Sequence, residues 1–279
     1  MTDRIGVVLM NLGGPDGPDA IEPFLFNLFS DPAIIRLPGF LRRFIARRIS
    51  RKRAPEARAI YDRIGGRSPI LPQTLDQARA LERRLDALGV KARCLPSMRY
   101  WRPFSDESVA EFLKDGVSRV VLLPLYPQLS TTTTESSLQD WLKAAEKQGL
   151  KAPVLTVGCY PTDPDFIAAH VAMIREAVAA EGLLFDRSVR LLFSAHGLPE
   201  RIVAAGDPYP EQVEGTVAAI VKALNIPDLD MRICYQSRVG PLKWIGPATD
   251  QEIERAGQEG KALVVVPVAF VSEHSETLV

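Results

Sequence analysis

Two short stretches bring together residue types that do chemistry as a group. In residues 191–200, LLFSAHGLPE, an apolar run passes through Ser194 and Ala195 to His196, then to the turn residues Gly197 and Pro199. In residues 264–276, VVVPVAFVSEHSE, a second apolar run is followed at once by Glu273, His274 and Glu276. Imidazole beside carboxylate can hold a first-row divalent metal or move protons near neutral pH. Glu273 and Glu276 are three residues apart, so a helix beginning there would project both to one side. The helix dipole alone also favours acids at such a start. A strand-end histidine and a facing set of cations and aromatics weigh toward function. That facing set is Arg99, Tyr100, Tyr126 and Ser130, each near the end of an apolar run, while Trp244 stands in a Gly/Pro-bounded loop.

Such groups need strands that end together. Apolar runs of strand length, bounded by turn residues, predict strands at Ile5–Asn11, 92–100, 117–125 and 153–160, then at Val189–His196, 231–237 and 262–270. Helical periodicity or end signals predict helices over 19–29, 74–88, 105–114, about 132–148, 163 to Gly182, 211–224 and 250–256. Thr132 and Glu135 have capping-box spacing, and Asp163-Pro164 reads as a helix start. His170 shares a helix face with Phe166, Ile167 and Ile174 and reads as a packing residue. Alternating strand and helix implies an α/β fold with mostly parallel sheets flanked by helices. Ligands of open α/β sheets bind at the carboxyl edge, which is where His196 falls. The halves echo one another, VLLPLY at 121–126 against VVVPVA at 264–269. Two similar domains are therefore expected, residues 1–160 and 161–279, the second incomplete with three strands to the first one's four. Facing across a cleft, they would put His196, Glu273, His274 and Glu276 on one wall. Arg99, Tyr100, Tyr126 and Ser130 would line the other, with Trp244 over the opening.

A chain of 279 residues has room for two domains, and 46% hydrophobic with 24% charged residues is ordinary globular usage. Lys+Arg and Asp+Glu both number 34, so no net charge draws the chain to nucleic acid, and no nucleic-acid partner is expected. No apolar run reaches membrane-spanning length. The start lacks a signal-peptide apolar region. Cys94, Cys159 and Cys234 form no CxxC pair, which argues against a disulfide framework or a zinc knuckle. A cytoplasmic location is expected by default. GxGxxG and GxxxxGK[ST] are missing, as are GxSxG and HExxH, so nucleotide binding, α/β-hydrolase and HExxH-protease chemistry are set aside. One stretch is anomalous. Residues 36–53 hold eight basic residues and no acid, with Phe40, Leu41, Phe44, Ile45 and Ile49 at helical spacing. That pattern fits a helix packed on the core or one meeting a membrane surface or an anionic ligand.

Longer motifs occur in order along nearly the whole chain. They are Asn11-Leu12-Gly13-Gly14-Pro15, YDRIGGRSPI at 61–70, Met98-Arg99-Tyr100, LPLYPQLSTTTT at 123–134, FSAHGLPERI at 193–202, CYQSRVGPLKWIGPATD at 234–250 and VPVAFVSEHSETL at 266–278. Together they resemble the ferrochelatases, which insert ferrous iron into a porphyrin. The resemblance implies two Rossmann-like, chelatase-like domains. It implies ferrous iron and protoporphyrin IX as substrates, protohaem as product and no organic cofactor. On the matching positions, His196 would be a metal ligand and the acceptor of pyrrole protons, with Glu276 as its carboxylate partner. Glu273 and His274 would line the same proton or metal path. Leu12, Arg99, Tyr100, Tyr126, Ser130 and Trp244 would touch or frame the macrocycle. The basic helix from Phe40 to Arg53 would form an apolar lip with peripheral contact to the inner membrane. A cleft that bends the flat ring exposes its in-plane nitrogens at the expense of binding energy. The family normally continues past the equivalent of Val279, so a truncated chain is expected. Some relatives carry an iron–sulfur cluster, but Cys159 reads as a buried structural cysteine and no cluster is expected. Insertion of cobalt or nickel, a coproporphyrin substrate, or non-catalytic porphyrin binding are the competing readings.

Overall fold

Apolar runs form the parallel strands that build the two sheets of this protein. Its computed structural model describes residues 4–186, 188–237 and 242–279. The chain divides into two units. The first takes the residues up to 126 with 131–158 and 272–279, and the second takes 127–130 and 159–271.

In the first unit, β1 (Ile5–Asn11), β2 (Ala92–Met98), β3 (Arg119–Pro124) and β4 (Val154–Thr156) form a parallel sheet of order β2-β1-β3-β4. Central β1 is buried from Gly6 to Asn11. Alternate residues of a strand point to opposite faces. Val8 and Met10 accordingly join Phe112, Leu122 and Trp141 in one cluster, while Asn11 reaches Thr74 on the other side. Gly6 lies close under the Phe112 ring: a methyl there would stand 3.0 Å from it. The helices are α1 (Ile21–Phe29), α2 (Gly39–Asp62), α3 (Ile70–Ala87), α4 (Ser105–Asp115) and α5 (Thr134–Lys147). Ile21, Phe24 and Leu25 of α1 pack with Ala46 and Tyr61 of α2 and with Tyr100.

In the second unit, α6 (Pro164–Ala180) precedes β5 (Val189–His196), α7 (Glu200–Ala204), α8 (Tyr209–Leu224), β6 (Met231–Gln236), α9 (Thr249–Gln258) and β7 (Ala262–Pro267). The strands are parallel in the order β6-β5-β7. Leu191, Phe193 and Ala195 pack on Val213, Val217 and Ile220 of α8, and Ser194 on the other face meets Thr249 of α9. Asp163 caps α6 by accepting from the Asp165 and Phe166 amides. His170 is buried, its Nδ1 3.2 Å from the Phe166 carbonyl and its ring edge-on to Phe166, so it serves packing as expected.

Several local expectations fail for identifiable reasons. The Thr132–Glu135 capping box does not form; α5 has Thr133 as its N-cap, without a side-chain cap bond. The strand expected over 153–160 ends at Thr156, because only three of its residues register with β3. Cys159 therefore lies beyond the strand end and is exposed, not buried, whereas Cys94 and Cys234 are buried. In α2, Ile45 and Ile49 are half-buried, yet Phe40 and Phe44 of the same apolar stripe are 81% and 67% exposed. A last short helix, α10 (Ser275–Leu278), groups with the first unit, along with Glu273 and His274.

Candidate active site

His196 ends β5, half-buried, beside Gln236 in the parallel register. The chain turns there as the Gly197 amide donates to the Gln236 carbonyl at 2.8 Å. Residues 198–200 then run against 243–245: Ile245 N–H donates to the Leu198 carbonyl (3.0 Å) and Glu200 N–H to the Lys243 carbonyl (2.9 Å). This brings the Trp244 indole edge-on to His196, ring centroids 6.5 Å apart at 77°. A methyl on Gly197 would lie 2.9 Å from the Gln236 carbonyl and 3.3 Å from the indole. Below the histidine, Ser194 Oγ donates to Gln236 Oε1 (3.4 Å) and shares a contact with Thr249 Oγ1, which also donates to the Cys234 sulfur (3.3 Å). Burial pushes the Cys234 thiol up, so it is a neutral anchor and not a nucleophile. Residues 238–241 of the motif leading to Trp244 lie outside the described residues.

Ser130 groups with this unit, whereas Tyr126 groups with the first. It is buried, and its hydroxyl donates to Asp207 at 3.0 Å. The neighbouring Leu129 amide donates to Gln212, and the Gln128 amide group to Thr216 and to the Val268 carbonyl.

In the first unit, Arg99 and Tyr100 follow β2 and are tied to the end of β1: their amides donate to the Asn11 and Leu12 carbonyls at 2.9 and 3.0 Å. Asp31, buried just after α1, gathers three donors on one carboxylate oxygen: Arg99 (2.8 Å), the Tyr100 hydroxyl (2.8 Å) and the Ser136 hydroxyl (2.5 Å). Arg99 Nε also donates to Ser136 at 2.8 Å, and its Nη1 lies 3.4 Å from Asp140. The guanidinium is thus balanced within the unit. Burial, followed by the Asp31 charge, raises the Tyr100 phenol well above its usual range. Burial likewise raises Tyr126, whose hydroxyl sits 3.3 Å from that of Ser137. Both phenols keep their protons and serve as hydrogen-bonding groups, not as proton acceptors. Leu12 is half-buried against the α1–α2 cluster.

The terminal acids are held by the same unit. Asn11 Nδ2 donates to Ser272 Oγ at 3.2 Å and to Thr74 at 3.2 Å, while its Oδ1 accepts the Leu12 amide at 2.8 Å. Ser272 Oγ donates to Gln77 (3.3 Å), and the Glu273 amide to Gln73 (2.6 Å). His274 is buried and caps α10, its Nδ1 accepting the Glu276 amide at 3.0 Å; the neutral ring then carries its proton on Nε2. Thr277 donates to the Glu273 carboxylate. Glu273 and Glu276 are exposed. Tyr61, buried at the end of α2, is pushed up by burial, with the Ser275 hydrogen bond lowering it and the Glu276 charge raising it.

His196 and Trp244 therefore stand together, as do Glu273, His274 and Glu276, and as do Arg99, Tyr100 and Tyr126. Glu273, His274 and Glu276, expected on one wall with His196, group with the first unit. Asp31, Ser136, Asp140 and Tyr61 were missed in the sequence; each is a common residue type whose partner lies far away in the chain. Among the described residues no three His, Cys, Asp or Glu side chains cluster as a metal site.

A family model described as Ferrochelatase matches residues 4–279. The Ferrochelatase of Caulobacter vibrioides (strain NA1000 / CB15N) is 55% identical over 281 residues, covering 100% of this chain and 79% of the relative. That of Phenylobacterium zucineum (strain HLK1) is 54% identical over 279 residues, covering 99% of this chain and 79% of the relative. A solved structure of SirB from Bacillus subtilis with Fe3+ aligns with a TM-score of 0.49 at 12% identity, covering 99% of this chain and 92% of that one.

Proposed function

This chain belongs to the ferrochelatase family, and from that membership we propose how its residues act in inserting ferrous iron into protoporphyrin IX to give protohaem. The observation that carries the reading is the family match from residue 4 to residue 279, which takes in every candidate residue. Iron enters as substrate, and the porphyrin must lose two pyrrole protons to receive it.

Two kinds of group in the candidate set can accept those protons: the His196 imidazole and the carboxylates of Glu273 and Glu276. The Tyr100 and Tyr126 phenols cannot, since burial holds their protons on. Imidazole exchanges protons near neutral pH at little cost. His196 is therefore assigned as proton acceptor and metal ligand, its ring steadied edge-on by Trp244. Glu276 is assigned as the partner carboxylate, and Glu273 and His274 line the path of protons or metal. Leu12, Tyr126, Ser130 and Trp244 frame the macrocycle. Arg99 and Tyr100 shape that frame through Asp31. Peripheral contact with a membrane surface is assigned to the exposed Phe40–Phe44 stripe of α2.

An anaerobic assay of ferrous iron with protoporphyrin IX tests the activity. Coproporphyrin and sirohydrochlorin, and cobalt and nickel, serve as competing substrates and metals. Protoporphyrin and iron should turn over fastest. Faster metallation of another pair would replace the substrate assignment, and porphyrin spectral shifts without metallation would make the chain a binder. His196→Ala should abolish insertion while leaving porphyrin binding within a few-fold; turnover at the wild-type rate would remove the histidine's role.

A further inference from the structure

The segment that carries Glu276 is attached to the first unit by side chains of one helix face. Gln73 and Gln77 lie four residues apart on α3, so they share a face and stand one turn apart. Thr74, also on the buried side of that helix, receives the Asn11 amide group. Gln73 Oε1 accepts the Glu273 amide at 2.6 Å, and Gln77 Oε1 accepts the Ser272 hydroxyl at 3.3 Å. Asn11, at the end of the central strand, holds the same hydroxyl from its other side at 3.2 Å. Tyr61 at the end of α2 reaches Ser275. The segment leaves β7 at Pro267 and regains regular structure only at Ser275, in a helix of four residues.

We propose that Gln73 and Gln77 are positioning residues for metal insertion, forming a dock on α3 that fixes the backbone of residues 272–273 and thereby the place of the Glu276 carboxylate. The proposal rests on the assignment of Glu276 to the reaction. Neither glutamine need touch substrate. Gln73 acts on a backbone amide, so its effect passes to the four residues that follow, through the His274 cap and α10.

The test uses the full chain. Gln73→Leu removes the acceptor at nearly constant size, Gln73→Glu restores an acceptor oxygen, and Gln77→Leu removes the second contact. Amide hydrogen exchange over residues 273–277 reads the dock directly; steady-state kinetics reads its purpose. Gln73→Leu should speed that exchange and lower kcat by roughly tenfold with the porphyrin KM unchanged, since misplacing a reacting group costs rate more than binding. Gln73→Glu should recover most of both. In a Glu276→Gln background, Gln73→Leu should cost little more, because its effect is carried by the missing carboxylate. Exchange unchanged in Gln73→Leu would overturn the dock. Faster exchange with unaltered kcat would overturn its role in the reaction. A wild-type kcat for Glu276→Gln would remove the Glu276 assignment instead, and with it the purpose of the dock.

Discussion

Asp31 shows how much a single residue can hold without resembling a functional one. One of its oxygens takes Arg99, Tyr100 and Ser136, and the other accepts the Ala33 amide at 2.8 Å, which shapes the turn between α1 and α2. Removing one member of a buried charge pair strands the other in a place with little water, at a cost of about 3–5 kcal/mol. Losing one neutral donor costs about 1 kcal/mol. Asp31→Asn keeps the shape but removes the charge that balances Arg99, so it should destabilise the protein by roughly 3 kcal/mol. Tyr100→Phe removes only a hydroxyl and should cost about 1 kcal/mol. Urea denaturation of the two variants checks the order; a Tyr100→Phe loss equal to or above that of Asp31→Asn would contradict the charge argument. Gly14 offers a purely steric case. A methyl there would lie 2.5 Å from Ser68 Cβ and Oγ, whose backbone amide is itself bonded to the Pro15 carbonyl at 2.8 Å. Gly14→Ala should therefore lower the urea midpoint by forcing the two loops apart, and a midpoint at the wild-type value would show that the loops yield freely.

At the level of elements, the strands were legible in the sequence but not all of their ends. Ile5–Asn11 and Val189–His196 have the bounds their apolar runs predict, because both faces of each are covered and nothing but the turn residues ends them. The runs at 153–160 and 262–270 overshoot, since β4 and β7 each pair on one side only and lose register sooner. The helix α7, five residues long, falls below any periodicity. His196 could be placed from its run, and Trp244 from its loop. Partnerships could not: Ser130 with Asp207 and Arg99 with Asp31 span 77 and 68 residues, and no local pattern announces them. The same holds at the other end of β5, where Arg190 binds Asp230 at 2.8 Å and Glu259 at 2.7 Å. The Arg190 hydrogen bond holds the Asp230 carboxyl below its usual range. A carboxyl whose folded pKa is depressed contributes stability that is complete above its unfolded value, near pH 4, and lost as pH falls through the folded value. Asp230→Asn should thus lower the melting temperature at neutral pH and flatten its fall below about pH 4. Parallel acid limbs for the two proteins would show that other carboxyls govern it.

For the molecule as a whole, the surface to which membrane contact is assigned above is the exposed apolar stripe of α2. Phe40 and Phe44 are one turn apart and 81% and 67% exposed, and exposed Arg36, Arg43, Arg47 and Arg48 surround them. Arg43 and Arg47 both lie 5.7 Å from the centre of the Phe26 ring, which holds their stems against the helix pair. Arg42 is spent inside, donating to the Ser30 and Leu37 carbonyls. No helix among the described residues is long and apolar enough to cross a membrane, so the geometry available to this stripe is shallow. A phenylalanine moved from water into an apolar layer gains about 2 kcal/mol, and each cation near an anionic surface about 1 kcal/mol. On the membrane assignment, two rings and several arginines should give reversible attachment to anionic lipid, and the charge part should fade with salt as the Debye length shrinks. Sedimentation with phosphatidylglycerol vesicles should therefore bring the protein down at low salt, less of it at high salt, and little with neutral vesicles. Replacing both rings, Phe40→Ser with Phe44→Ser, removes on the order of 3 kcal/mol of apolar contact after allowance for the area already covered, or roughly a hundredfold in affinity. Both rings project from the surface, so the double variant should keep its melting temperature and its turnover with detergent-dispersed porphyrin. Binding to vesicles that survives the double substitution unchanged would assign the stripe to another surface.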